Sequence, residues 1–186
     1  TGASFSSSSH RLLNEDSAEW MAAAPAATFD IMLTDPPYGM GADQFGDSGV
    51  GSSAAAHFYD DSYEAWQAIM GWFPTESFRL AKPEAHAYVF CDLDRFHELR
   101  GLMQGVGWKV HRTPLIWSNP DGFRAPWPEQ GCQRKYELIL YAVKGGRKVN
   151  HLKGDVPEYG KDKSVGYPAK KPRSDERRVG TECFCR

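Results

Sequence analysis

Apolar residues fall in short runs whose internal spacing switches along the chain between a two-residue and a three-to-four-residue repeat. Phe29-Asp30-Ile31-Met32-Leu33 is a β-type run that stops at Thr34-Asp35-Pro36-Pro37-Tyr38-Gly39. Two successive prolines cannot continue a sheet ladder, so this segment is a loop at the carboxyl end of a strand. Upstream, residues 11–22 place Leu12, Leu13, Trp20 and Met21 near a helical or a strand-then-helix spacing, and Pro25 breaks the run. Downstream, Asp61-Ser62-Tyr63-Glu64 reads as a capping box with Asp61 as N-cap and Glu64 at N3. Trp66, Ile69, Met70 and Phe73 follow at helical spacing, and Pro74 kinks or divides that helix. Residues 87–91 predict a buried strand, and residues 94–105 a helix with Phe96, Leu99, Leu102 and Met103 on one side. Residues 108–117 and 137–143 predict two more strands, the second ended by Lys144-Gly145-Gly146. Residues 39–60 and 118–135 read as loops, the first rich in Gly, Ser and Ala and expected to be mobile, the second polar with three prolines. Strands alternating with helices argue an α/β layered fold. The last two strands have no helix between them and are expected to pair antiparallel.

Composition narrows this without changing it. A chain of 186 residues suits one domain, with 41% hydrophobic and 25% charged residues near globular averages. The 13% aromatic content excludes a largely disordered chain. No run approaches the length of a membrane span, and the Ser-rich opening lacks the charge and apolar core of a signal peptide. Cysteines at 91, 132, 183 and 185 fit neither a disulfide framework nor a zinc site, so a reducing cytoplasm is expected and no metal. His86, His97 and His111 are expected at the surface or at strand ends, and Trp66, Phe73, Trp108 and Trp117 in the core. Residues 1–143 hold 10 Lys and Arg against 18 Asp and Glu, whereas residues 144–186 hold 12 against 6. A basic last quarter is compatible with a polyanion partner, and Arg124 and Trp127 are the loop residues placed to touch one.

Asp35-Pro36-Pro37-Tyr38 carries the chemistry. Those four residues in order arise by chance in a chain this long about once in a thousand. In open α/β sheets ligands bind outside the carboxyl ends of strands, which is where this set stands. An exocyclic amine is conjugated with its ring and is a poor nucleophile. Two acceptors holding its N–H bonds pull the nitrogen toward tetrahedral geometry. The Asp35 carboxylate and the Pro36 carbonyl supply them, and the diproline removes two competing N–H donors. Tyr38 offers a flat face for an extruded base.

The 34–39 segment resembles the catalytic motif of the DNA N6-adenine and N4-cytosine aminomethyltransferases, and the resemblance runs over most of the chain. Asn14-Glu15-Asp16 with Trp20-Met21 resembles the family's upstream segment, Leu80-Ala81-Lys82-Pro83 and residues 87–92 its strand after the catalytic helix, and residues 136–144 its late strand. Tyr167-Pro168-Ala169-Lys170-Lys171-Pro172 resembles its cofactor-side motif, matching at Pro168, Lys171 and Pro172. The order of pieces is similar to the β class. The resemblance implies a partial Rossmann-like methyltransferase fold, mostly parallel, with the late antiparallel pair. It implies S-adenosyl-L-methionine as cofactor, held by Asp16, Thr34, Asp35, Lys171 and Pro172, and catalysis by Asp35, Pro36, Pro37 and Tyr38. It implies double-stranded DNA with a flipped base as partner, adenine N6 as target, and a phage or bacterial restriction-modification setting.

The family's aromatic-x-Gly-x-Gly turn does not follow Pro172. Residues 173–186 instead resemble translated sequencing adapter. The chain thus divides into a loose segment over 1–10, a C-terminally truncated methyltransferase domain over 11–172 and a non-native tail over 173–186, and weak cofactor binding is expected of it. The rival readings are methylation of cytosine N4, of RNA or of a protein glutamine, and a non-catalytic nucleic-acid-binding fragment.

Overall fold

The structure, a computed structural model, describes residues 5–6, 11–41, 60–118, 132, 135–149 and 154–156. Strands β1 (Phe5–Ser6) and β2 (Arg11–Leu12) form a two-stranded antiparallel pair, so a short strand stands inside the segment expected to be loose. Helix α1 (Ser17–Ala23) follows, capped by Asp16, and leads into β3 (Phe29–Thr34). Helices α2 (Tyr63–Met70) and α3 (Phe73–Leu80) are separated where Pro74 enters the first turn of α3, the position its missing N–H favours. Then come β4 (Ala81–Cys91), α4 (Leu93–Gly105), β5 (Lys109–Val110), β6 (Leu115–Ser118) and β7 (Tyr136–Lys144).

The main sheet has the order β3-β4-β7-β5, with β6 also on β7. β3 runs parallel to β4 across a crossover that contains α2 and α3. β7 pairs antiparallel with β5 and β6, the late arrangement that the missing helix predicts, and also runs antiparallel to β4, so that among the described strands the parallel pairing is that of β3 with β4. The expected single strand over 108–117 is interrupted. Val110 stands opposite Ala142 and Leu115 opposite Ile139, five residues against three, and Pro114 lies in the excess. β4 starts six residues before the expected strand, and its early part carries an irregular register: Phe29 faces Ala81 but Ile31 faces His86. Pro83 falls in that bulge, where no ladder donor is needed. Gly145, at φ +71°, closes β7 against it; a Cβ there would lie 2.2 Å from the Pro83 carbonyl oxygen.

Both faces of the sheet are buried, which is why β4 and β7 read as unbroken apolar runs. Ala85, Ala87, Val89, Cys91, Leu138, Leu140 and Ala142 face the helices, meeting Trp66, Phe73, Phe96, Leu99 and Met103. Tyr88, Phe90, Ile139, Tyr141 and Val143 alternate onto the opposite face, with Leu115 and Trp117. Trp66, Phe73, Trp108 and Trp117 are all buried as expected. His86 is not at the surface: it sits fully buried inside β4, because the strand extends upstream of the run that predicts it. Its Nδ1 lies 2.8 Å from the Tyr141 hydroxyl. Burial, then the charge of Arg147, holds its imidazole below the usual histidine range. His97 and His111 are exposed. Among the described residues no helix is long and apolar enough to cross a membrane.

Candidate functional site

β3 pairs with β4 as far as Thr34–Val89 and then releases the chain into the diproline turn. Asp35 is exposed there, and Pro36 and Pro37 are half-buried. Thr34, Asp35, Pro36 and Pro37 form one wall of a cleft of about 470 Å³. Its other walls are Ser17, Trp20 and Met21 of α1, Phe29 and Met32 of β3, and Ile69, Trp72 and Phe73 beside them. The cleft is aromatic and apolar, with its polar groups gathered at the strand end. Asp16 stands at the mouth of α1, next to Ser17. Its carboxylate caps the helix by accepting from the amides of Ala18 and Glu19, at 2.9 and 3.0 Å. Both bonds fall on Oδ1, so the cap does not use Oδ2.

Tyr38 does not line this cleft. Its ring packs toward the opposite face of the sheet, with the cluster of Tyr88, Phe90 and Tyr141. There it borders a small pocket shared with Cys91, Asp92, Tyr136 and Glu137. Its hydroxyl turns back and donates to Asp35 Oδ1 at 2.7 Å. Asp35 therefore borders the large cleft on one side and holds the lining of a second pocket on the other. Burial pushes the Cys91 thiol up to about 12, which keeps it protonated and removes it as a nucleophile.

The turn is held by a residue that the sequence pattern assigns elsewhere. Asp61 does not cap α2. Ser62 does, its Oγ accepting from the Ala65 amide at 3.2 Å, and Glu64 lies in the first turn without completing the box. Asp61 is 2% exposed and points back at the turn. Its Oδ1 accepts from the amides of Tyr38 and Gly39, at 2.6 and 3.0 Å. Its carbonyl accepts from the Gly41 amide at 2.8 Å. Gly39 takes φ +67° and lies so close to α2 that a Cβ would stand 2.8 Å from Trp66 Cβ. Arg95 of α4 reaches the Gly39 carbonyl at 3.4 Å while its guanidinium lies 4.2 Å from the centre of the Tyr63 ring. Tyr63 donates to Glu98 at 3.0 Å, and that bond, above all, holds its hydroxyl above the usual phenol range. Nothing local marks Asp61 as a partner of the turn: 22 residues separate it from Gly39, and its own neighbours form a plausible cap.

Of the residues singled out in the sequence, the structure brings together Asp35, Pro36, Pro37 and Tyr38, with Thr34 beside them; Asp16 is not among the residues lining the cleft, although its neighbour Ser17 is. Lys171 and Pro172 lie outside the described residues, as do Arg124, Trp127, the greater part of the loop over 39–60 and the tail over 173–186.

A family model described as DNA methylase matches residues 29–181. Comparison with curated proteins gives no match. Among solved structures, the crystal structure of the M1.HpyAVI–SAM complex is similar at TM-score 0.54 and 15% identity, covering 86% of this chain and 68% of that one. The crystal structure of M1.HpyAVI aligns at TM-score 0.47 and 17% identity, covering 70% of this chain and 56% of that one. The likeness to the first of these speaks for the fold, a mixed α/β arrangement in agreement with the expected class.

Proposed function

This chain belongs to the DNA methylase family, and on that footing we propose that it transfers a methyl group from S-adenosyl-L-methionine to the N6 amine of an adenine flipped out of duplex DNA. The observation that carries the proposal is the double placement of Asp35, which borders the 470 Å³ cleft and bonds to Tyr38 at the second pocket. A group at that position borders the large cleft on one side and, through Tyr38, the opposite face of the sheet on the other.

The residues present fit the cofactor. The cleft falls within the range of about 300–1,000 Å³ typical of small-molecule sites. Its aromatic walls suit a purine face, and its polar end presents Thr34 and Asp35. Asp16, Thr34 and Asp35 are the described residues that would hold it, with Lys171 and Pro172 completing the set. S-adenosyl-L-methionine, when bound, supplies a methyl group on a positively charged sulfur. The protein's part is orientation. Asp35 and the Pro36 carbonyl accept the amine's N–H bonds and aim its lone pair into the cleft. The Tyr38 ring gives the extruded base a stacking surface, and Pro37 stiffens the turn between them. A protonated, buried Cys91 supports direct transfer without a covalent enzyme intermediate. Adenine is favoured because Asp stands first and Tyr fourth in the motif, an order that leans to adenine N6 in the resembling family, and because a purine stacks on Tyr38 over more area than a pyrimidine.

The test uses the protein expressed from its complete gene, methyl-labelled cofactor and mixed-sequence duplex DNA, with products digested to nucleosides and identified by mass spectrometry. N6-methyladenine is expected. N4-methylcytosine as sole product corrects the base, and label confined to RNA or to a glutamine peptide offered in parallel overturns the DNA reading. Asp35→Ala is expected to lower transfer about 100-fold or more, by analogy with removing a transition-state hydrogen-bond partner, with the fold intact in circular dichroism.

A further inference from the structure

We propose that Asp61 is a positioning residue for methyl transfer, its buried carboxylate fixing the backbone of the turn that carries Asp35 and Pro36; the inference rests on the reading of this site given above. The argument begins with what the turn lacks. Pro36 and Pro37 have no N–H, so the diproline cannot anchor itself by backbone donation. Their rings fix two φ angles and leave the exit of the turn open. The first two N–H groups available after them belong to Tyr38 and Gly39. Both go to one atom, Asp61 Oδ1, at 2.6 and 3.0 Å.

A surface turn would leave those donors to water. Here the acceptor is a carboxylate at 2% exposure, and a charge taken out of water is destabilising unless its hydrogen bonds compensate. Charge-assisted bonds are the shorter and stronger kind, and two of them converging on one oxygen restrict the peptide planes on either side of Tyr38 Cα. The α2 N-terminus, which starts one residue later at the Ser62 cap, favours a negative charge at this place. Gly39 is further pressed on Trp66 and reached by Arg95, so the clamp acts against a rigid support. Asp61 lines neither the large cleft nor the small pocket beside Tyr38. It acts through the direction in which the Asp35 carboxylate and the Pro36 carbonyl point, and an error of a fraction of an ångström there is felt in the rate rather than in binding.

The experiment compares Asp61→Ala and Asp61→Asn with the wild-type chain. The readouts are kcat, KM for DNA, the cofactor dissociation constant, and the amide proton shifts of Tyr38 and Gly39. The alanine variant is expected to lose kcat by about 30-fold, with KM and cofactor binding within about threefold, because it removes the two charge-assisted bonds that Asp61 makes to the turn. The asparagine oxygen still accepts both N–H groups, so that variant is expected to recover to within about fivefold of wild type, with both amide protons shifted upfield as the bonds lose charge. An alanine variant with wild-type kcat overturns the proposal, as does an equal fall in kcat, DNA affinity and cofactor affinity. If the alanine variant does not fold, the asparagine variant decides alone: amide shifts of Tyr38 and Gly39 that do not move, or a kcat that falls as far as about 30-fold while both shifts move as expected, sink the idea. A wild-type enzyme that methylates RNA or glutamine instead of DNA removes the assigned substrate while the Asp61 comparison is run on that acceptor. A wild-type chain that methylates none of the three defeats both readings.

Discussion

Tyr38 has two roles that substitution can separate. Its ring lies against the far face of the sheet and its hydroxyl holds Asp35. Tyr38→Phe keeps the ring and removes the hydroxyl bond, so transfer should fall by less than about tenfold, the net worth of one such hydrogen bond. Tyr38→Ala removes the stacking surface as well, worth about 1–3 kcal/mol per base, and should fall well below the phenylalanine variant. Single-turnover rates measure both; equal rates in the two variants would remove the ring from the mechanism. The Asp35–Tyr38 pair is legible in the sequence because its members are three residues apart. Asp61 is not, because its bonds to the turn span 22 and 23 residues and shifting the α2 cap by one position satisfies the same local pattern. His86 is misplaced for a similar reason: flanking Glu84 and Pro83 imitate the start of a strand that in fact begins at Ala81.

At the scale of elements, α1 depends on a residue of another helix. It has seven residues and no basic side chain in its last turn. Arg79 of α3 supplies one, donating to the carbonyls of Met21 at 2.5 Å and Ala24 at 2.8 Å while its Nε donates to Glu76 Oε2 at 2.8 Å. Arg79→Met keeps the aliphatic stem and leaves those carbonyls without their donor, at about 1–3 kcal/mol of stability. Denaturant melts should show the loss, and amide exchange should quicken in α1 before α4; exchange that quickens uniformly would mean that Arg79 stabilises the whole domain instead. α1 forms the cleft wall opposite the motif, so the same variant should weaken cofactor binding more than it changes kcat. The strands around β7 were legible from their apolar runs because both sheet faces are buried. The division between β5 and β6 falls at His111-Arg112-Thr113-Pro114, a polar stretch ending in a proline, which the single expected strand over 108–117 runs across.

For the molecule as a whole, His86 sets a pH dependence. Its folded pKa lies below the unfolded value near 6.5, so the unfolded chain binds the additional proton. Stability is complete above about pH 6.5 and declines as pH falls through the interval down to the folded value. Asp30, held low chiefly by its hydrogen bond to Lys82, contributes in a different window, below its ordinary 3.8. Thermal melts between pH 7 and 5 should therefore show a falling melting temperature, and His86→Gln should flatten that slope; an unchanged slope in the variant would assign it to other groups. Asp61 and Gly41 fasten the two ends of the intervening span, residues 42–59, to each other at the base. A loop closed at its root can double in length for only about 0.6 kcal/mol of closure entropy. A change of length between Gly41 and Asp61 is therefore expected to leave the bonds from Tyr38 and Gly39 to Asp61 in place, so that variation in that interval stops short of the diproline turn.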